Sequence, residues 1–509
     1  MRTIAIIGAG FSGTATAVHL LRSSRSPVRI VLIDDQPESF GGLAYSAGQQ
    51  DCLLNVPAGQ MSLDASRPSE LVDFAARRGL KVGAQDFLSR ALYGRYLWAS
   101  LQDATESTGM ECTRVCGRAT RLVQPRGRAG SWRIDLEDGH LILADEVVLA
   151  IGNPQPARLP ALEAIRGTSW YVHDPWGSWP QERPDRAPRR VLLIGTGLTM
   201  ADVALRLLLR GPEPPEILAL SRRGLLPQPQ TAFDRATLLT DAVATIRASG
   251  GSLRDLVRAV HTLSRQVAGV GGDWREVMNA VRKLAPELWA GLSAEDRQRF
   301  LRHVRPTWDI HRHRLPPAAA GELQRLQAAG KLTVRAGVIE SANITTGGIE
   351  VLWRPRGAQQ HERVVVGRIF NCTGPDYRPT RSGSGLVQSL LSNGLIAPDP
   401  LELGIRVASD GEVVGADGRM VKGLYYIGPW LRARDWEATA VPELREHARR
   451  LADRLTETAL NGRHQRSESS RWQLAPAGQA VSTDHVATNS RWPSDTISYV
   501  ERRRNSVRS

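Results

Sequence analysis

Lysine is almost missing from this 509-residue chain: Lys81, Lys283, Lys331 and Lys422 are the only four among 66 basic residues. The formal charge of +14 therefore rests on arginine, which is spread along the chain and gathers only in short runs such as Arg502-Arg503-Arg504. Without a long basic block no nucleic-acid partner is expected, although a diffuse positive field still attracts anionic cofactors. Cysteine is as scarce. Cys52, Cys112, Cys116 and Cys372 fit neither a disulfide framework nor a zinc site, and no metal is expected. The spacing of Cys112 and Cys116 is one residue too long for Cys-x-x-Cys, which excludes the redox pair of a disulfide reductase. All four are expected to be reduced core or near-core residues of a cytoplasmic protein. Aromatic residues make up only 6%, so aliphatic side chains must fill the core. Long uncharged apolar runs are absent too. The most apolar stretch, Val191–Leu209, carries Asp202 and Arg206 and so excludes a membrane span. Arg2 to Gly8 already reads as a strand entering a turn, so no signal peptide is expected.

What is present starts at once. Thr3–Ile7 is apolar and β-branched, Thr14–Leu21 has helical spacing, and Val28–Ile33 is a second buried-strand run. Between the first two lies Gly8-Ala9-Gly10-Phe11-Ser12-Gly13, and the second strand ends at Asp34 and Asp35. In that context the glycine pattern predicts a dinucleotide-binding turn. Gly8 permits the tight turn. Gly10, followed by Phe11 and Ser12, lets backbone N–H groups approach a diphosphate at a helix N-terminus, and Gly13 allows close contact of helix with strand. Asp34 is predicted to accept hydrogen bonds from an adenosine ribose. An acid there repels a 2′-phosphate, which favours FAD or NAD over NADP.

Val191–Ile194 and Gly195-Thr196-Gly197-Leu198-Thr199-Met200 repeat the plan. Met200 replaces the third glycine, so helix and strand are expected to pack less closely. The next strand, Ile217–Ser221, ends in Arg222 and Arg223 in place of an acid. Arginines there suit a 2′-phosphate and predict NADPH. The two sites together imply hydride transfer from NADPH to a flavin.

The intervening chain reads as largely helical over 69–108, a β-meander over 112–143 and a strand over 145–151 ending at Gly152. A crossing rich in proline and arginine follows over 154–190. The expected fold class is α/β: two Rossmann-like dinucleotide-binding domains, for FAD and NADPH, the second inserted in the first, with a helical insert. The expected spans are 1–160 for the N-terminal part of the FAD domain and 188–365 for the NADP domain with its insert at 235–315. The C-terminal part of the FAD domain is expected at 366–460. The polar, aperiodic residues 461–509 are expected to be a disordered tail.

The flavin end is expected near Gly423–Pro429, a strand running into a turn, and near Trp436–Glu443. There Thr439 is a possible helix cap before Ala440, with Pro442 in the first turn. A helix N-terminus at that point would stabilise an anionic reduced flavin. With these residues noted, the chain resembles the bacterial FAD/NAD(P)-binding oxidoreductases that share the two-domain plan of flavin-containing monooxygenases and amine N-monooxygenases. The resemblance rests on the first glycine pattern, Gly41–Tyr45, Leu54-Asn55-Val56-Pro57, Ile194–Gly197, Ser221–Gly224, Phe370–Pro375 and Gly428–Glu443, spread over roughly residues 1–455. It implies that Gly152 and Gly374 mark the crossings between domains and that Gly428 and Ala440 adjoin the flavin. Common flavoproteins of this fold end the last strand in Gly-Asp; Gly428-Pro429 lacks the acid, so the ribityl contact must come from elsewhere.

Asn55 is a candidate catalytic and flavin-contacting residue, able to hydrogen-bond the flavin or its oxygen adduct. His311, Arg312 and His313 alternate just after the helical insert and are candidates for substrate or NADPH phosphate; a packed polar seam between domains explains them equally well. The resemblance implies an NADPH-using monooxygenase in which a peroxyflavin oxygenates a small molecule with dioxygen, at an amine nitrogen among other positions. A flavin reductase or dehydrogenase serving a separate acceptor and a non-catalytic nucleotide sensor are the other readings. Substrate and oligomeric state are left open.

Overall fold

The structure, a computed structural model, describes residues 1–36, 41–125, 127, 130–177, 179, 189–209, 214–231 and 237–462. Phe40, most of the expected tail, part of the 154–190 crossing and the first residues of the expected insert lie outside the described residues.

The chain opens with β1 (Arg2–Ile7), α1 (Phe11–Ser23) and β2 (Val28–Asp34), as the apolar runs require. It continues through α2 (Glu70–Ala76), α3 (Arg90–Thr108) and β3 (Glu111–Cys116). Residues 77–89, expected to be helical with their neighbours, are not. Gly79 takes a left-handed φ of 77° that ends α2. β4 (Ala119–Val123), β5 (Trp132–Leu136) and β6 (Leu141–Ala144) form the antiparallel meander, and β7 (Glu146–Leu149) returns to the main sheet. The meander is shorter than expected because β3, with Cys112 in it, pairs in parallel with β2. Cys116, expected at or near the core, is exposed.

The crossing is not a bare linker. A 3-10 turn spans Pro160–Ile165, and β8 (Tyr171–Val172) joins the second sheet. That sheet also takes β9 (Val191–Ile194) and, after α4 (Leu198–Leu209), β10 (Ile217–Ser221). Five helices follow: α5 (Thr237–Ala248), α6 (Leu253–Gly269), α7 (Trp274–Gly291), α8 (Ala294–Arg299) and α9 (Arg305–Arg312), the last two joined by one π-helical turn at Phe300–Val304. α10 (Pro317–Ala328) then leads into β11 (Leu332–Thr345), β12 (Gly348–Pro355), β13 (Glu362–Val366) and β14 (Arg368–Asn371). The chain closes with α11 (Gly385–Ser392), β15 (Glu412–Val414), β16 (Met420–Tyr426) and α12 (Val441–Gly462).

The first sheet runs β15-β16-β7-β1-β2-β3 and the second β13-β12-β11-β10-β9-β14-β8. β14 corrects the expected boundary at 365/366. It pairs with β9, Phe370 opposite Leu193, so the return to the first domain comes only after Asn371. In each sheet the opening strand of the glycine unit has the next strand of the chain on one side and a much later strand on the other. β1 lies between β2 and β7, and β9 lies between β10 and β14. At such a reversal of strand order the connections leave in opposite directions and open a crevice at the strands' carboxyl ends. Both predicted glycine turns stand there.

In the first domain α1, α3 and α12 cover one face of the sheet, and the β4–β6 meander covers the other with Trp132, Ile134 and Leu136. In the second, α4 and α10 pack on one face, while the Pro160–Ile165 turn lies opposite against β11 and β12. The helical insert builds a core of its own. Trp289, Phe300 and Trp308 close it against Leu403, Ala433 and Trp436 of the C-terminal segment. No described helix is long and apolar enough to cross a membrane.

Candidate functional site

At the first crevice, Gly8 has φ of 109°, and a Cβ there would lie 2.2 Å from the Ala150 carbonyl oxygen. A Cβ on Gly13 would lie 1.9 Å from the Gly8 carbonyl oxygen. Both positions exclude side chains because the protein's own backbone occupies the space. Gly10 differs. It is extended at φ −70°, and nothing comes nearer its Cβ position than 3.9 Å. The room kept beside Gly10 is thus room for something other than this chain. Gly10 is the N-cap of α1, no side chain caps that end, and its first turn carries no acid, so its N–H groups suit an anion. Phe11 and Ser12, buried in that first turn, follow directly.

Asp34 closes the crevice from β2. One carboxylate oxygen accepts the Ala9 N–H and the other the Gln36 N–H, each at 2.8 Å. Burial raises its pKa despite those bonds. The carboxylate is thereby fixed against the glycine turn, with lone pairs still able to accept hydrogen bonds. Gly41 forms a backbone bridge with Gly10, and Gly42, at φ 70°, has no room for a Cβ, which would meet the Gly10 Cα at 2.9 Å.

The second crevice repeats this. Gly195 has φ of 103°, and its Cβ would strike the Cys372 carbonyl oxygen at 2.4 Å; at Gly197 nothing lies within 4 Å. Leu198 and Thr199 start α4, whose first turn again has no acid. Met200 is fully buried where the first turn has Gly13, so this helix seats a side chain that the first excludes. Arg222 is exposed and Arg223 half-buried after β10, and Arg223 also donates to the Arg302 carbonyl at 3.2 Å. Sequence reasoning missed the residue between the two glycines. The Thr196 hydroxyl lies 2.9 Å from the Ser221 hydroxyl and donates to the Leu225 carbonyl at 2.5 Å, while Ser221 accepts the Gly224 N–H at 3.0 Å. This chain of bonds ties the diphosphate turn to the arginine turn.

The other expected flavin-side residues converge less tightly. Asn55 is half-buried in a loop anchored by the Leu54 N–H on the Leu88 carbonyl and the Ala58 N–H on the Asp86 carbonyl, both 2.8 Å. Gly374 has φ of 80° with open space around it. The two domain crossings lie side by side, with Pro156 bridged to Pro375. Gly428 has φ of 141° and is followed by Trp430, whose N–H donates to the Tyr426 hydroxyl at 3.0 Å. The predicted cap moves by one residue. α12 begins at Val441, and the Ala440 carbonyl accepts from the Leu444 N–H at 2.9 Å, so Ala440 rather than Thr439 holds the cap position.

His311, Arg312 and His313 end α9. Arg312 is committed: its Nε donates to Glu437 at 2.5 Å, with the two side chains 7% and 3% exposed. Beside it Arg282 forms a two-point pair with Glu443 at 2.6 and 2.9 Å. Neither glutamate was singled out in the sequence, because a single Glu in a loop-to-helix segment carries no partner information. Arg432 lies with its guanidinium 3.8 Å from the Trp436 ring centre. His311 contacts the Thr307 carbonyl through Nδ1 at 2.7 Å and the edge of Trp274. Among the described residues, no group of three or more His, Cys, Asp or Glu is arranged to hold a metal.

Burial, then the charges of Arg312, Arg432, Arg282 and Arg305, hold the His313 pKa well below the usual 6.5, and Asp309, 4.0 Å away, does not offset them. A histidine kept neutral in the folded state stabilises it fully above the unfolded pKa, and that stability is lost as pH falls below about 6.5. His19, His173 and His447 are shifted the same way, again chiefly by burial. Thermal stability is therefore expected to drop between pH 7 and 5. His313→Gln should make the drop shallower in melting curves taken across that range.

Two glycine turns, each at a strand-order reversal in its own sheet, define the class of fold: a pair of dinucleotide-binding domains with the second interrupting the first. Residues 5–154 match the model of the FAD-NAD(P)-binding family. No curated protein matches the sequence. Among solved structures the chain is similar to the ornithine N-hydroxylase of Kutzneria sp. 744, with 15% identity, TM-score 0.61, and coverage of 90% of this chain and 100% of that one. It is similar to L-lysine 6-monooxygenase of Pseudomonas syringae, with 18% identity, TM-score 0.59, and coverage of 90% and 100%. It is also similar to the FAD-bound cadaverine monooxygenase of Erwinia amylovora, with 14% identity, TM-score 0.58, and coverage of 94% and 99%. At these identities the likeness is one of fold.

Proposed function

We propose that this protein is an FAD-dependent, NADPH-using monooxygenase that oxygenates a small molecule, with an amine nitrogen as the atom oxygenated. One observation carries the reading: the two crevices leave matching spaces beside Gly10 and Gly197, while their ribose ends are opposite, Asp34 at one and Arg222 with Arg223 at the other. The first suits FAD and the second NADPH. The amine preference is supported by the printed substrates of the structural relatives, ornithine, lysine and cadaverine.

Bound flavin would supply hydride acceptance and oxygen activation; the chain supplies position. The free N–H groups of α1 and α4 hold the diphosphates. Asn55 and the Ala440 end of α12 are the proposed polar contacts of the flavin ring, with Gly374, Gly428 and Thr439 beside them. His311 and His313 are the proposed substrate-side groups, and Arg312 braces them through Glu437. The reduced thiols accord with a cytoplasmic setting. The test is oxygen uptake by the purified yellow protein with NADPH and a panel of diamines and amino acids. Uptake matched one to one by hydroxylated product supports the reading. Uptake yielding only peroxide across the panel assigns the protein to electron transfer instead.

Coenzyme choice gives a separate prediction. Losing charge-assisted hydrogen bonds worth about 1.5–3 kcal/mol should cut the preference for NADPH over NADH in Arg222→Ala/Arg223→Ala by roughly 10- to 100-fold. The ratio of kcat/KM values for the two coenzymes measures it. Thr196→Val should weaken the preference less, by loosening the turn that carries those arginines.

A further inference from the structure

The two diphosphate-binding helices belong to different sheets, and hydride transfer between their cofactors depends on how the domains are set against each other. A part-buried ion pair links α3 of the first domain to α4 of the second. Arg90, the first residue of α3, donates through Nη2 to Asp202 of α4 at 3.3 Å, with the side chains 12% and 14% exposed. Each partner is tied to its own crevice. α3 packs along α1, and the Cβ position of Gly41 is closed by Gly94 and Leu97 of α3. The Arg90 N–H donates to the Cys52 carbonyl at 2.8 Å. Asp202 lies just past the Gly197 turn, in the helix that this turn opens. Around the pair, Trp176 from the crossing lies under the Arg90 guanidinium at 5.2 Å and takes the Gln49 side-chain amide on its carbonyl at 3.3 Å. Arg206, one turn along α4, donates to the Pro175 carbonyl at 3.1 Å.

We infer that the Arg90–Asp202 pair is a positioning device that sets the separation of the two cofactors for hydride transfer. This rests on the NADPH and FAD reading above. Asp202 is not among the proposed contacts of the diphosphate, nor is Arg90 among those of the flavin ring. The pair acts through the helices that carry the cofactors. A long arginine held by a short aspartate in a largely enclosed place favours one register between α3 and α4, whereas apolar contact alone tolerates sliding.

The test uses the flavin-loaded protein, mixed anaerobically with NADPH. In Asp202→Asn the flavin reduction rate at saturating NADPH should fall about 10- to 100-fold, the scale expected for misplacement by about 1 Å. The NADPH concentration giving half that rate, and reoxidation of chemically reduced enzyme by oxygen, should stay as in the wild type. The reversed pair, Arg90→Asp/Asp202→Arg, should recover part of the rate. Asp202→Glu, which keeps the charge with a longer reach, should lie in between and covers the case in which the asparagine variant fails to fold. A readout without turnover comes from spin labels on Cys116, the exposed native thiol of the first domain, and on Gln324→Cys in the exposed part of α10. Their distance distribution should be narrow in the wild type and broad in Asp202→Asn. Equal reduction rates and equal distributions in wild type and variant overturn the positioning role while leaving the function intact. A wild-type flavin that NADPH does not reduce overturns the function itself, and with it this role.

Discussion

Gly10→Ala is expected to fold normally and yet to purify largely without flavin, whereas Gly13→Val is expected not to fold. The contrast follows from what each added atom meets. Gly10 has a backbone conformation that alanine adopts freely, and its Cβ would fit the space beside the turn with Gly41 and Gly42 backbone atoms at an ordinary 3.9 Å, so the chain itself loses nothing. That space is where backbone N–H groups must meet a diphosphate. A methyl there should weaken FAD by at least about tenfold, or about 1.4 kcal/mol. At Gly13 the Cβ would sit 1.9 Å from the Gly8 carbonyl, far inside contact, and Ile6 closes the other side. Nothing can shift without parting α1 from β1, a defect at the extreme end of single-residue effects, above about 4 kcal/mol. Circular dichroism melting and the flavin-to-protein absorbance ratio separate the two outcomes. Should Gly10→Ala retain its full complement of flavin, the first crevice is not the flavin site.

Arg312→Met is expected to destabilise the protein by about 3–5 kcal/mol, the range for removing one partner of a buried ion pair. Most of that cost comes from Glu437, a carboxylate with 3% of its side chain exposed that loses its direct hydrogen-bonded partner and keeps only the more distant charges of Arg282 and Arg432. Arg312→Met/Glu437→Gln should therefore be more stable than the single variant, as a double-mutant cycle in urea would show. The same cycle distinguishes a brace from a substrate ligand. A brace loses stability and regains it with the second change, while a ligand loses turnover at unchanged stability.

How far the sequence reveals this molecule depends on the range of the interaction concerned. Gly8, Gly10 and Gly13 are legible because their roles are local: a turn, a helix start and a close approach lie within one short segment. So are β1, β2 and β9, whose unbroken apolar runs leave no other reading. β14 was expected in the wrong domain because Arg368–Asn371 reads the same in either sheet; only its pairing with β9 decides, and that partner lies far back in the chain. For Arg312 the sequence offers a polar seam between domains as readily as a ligand contact but cannot name the partner, since Glu437 is 125 residues away. In the sequence Asp202 reads only as a charge that interrupts an apolar run, and its partner Arg90 stands in an unremarkable helix start. Thr196 carries no signal of its own in the sequence, because the glycines on either side already account for the turn.

The helices between β10 and α10 leave the second domain by sequence and join the first by packing. Trp289 donates its indole N–H to the Ala433 carbonyl at 3.0 Å, and Arg282 reaches Glu443 at the start of α12. Heating either half alone would have to open that shared aromatic core, so the two units are expected to melt in one transition, and a scan resolving two would show the clasp to be weak. A chain laid out as two modules would then behave as one cooperative body, with damage to the clasp felt in both halves at once.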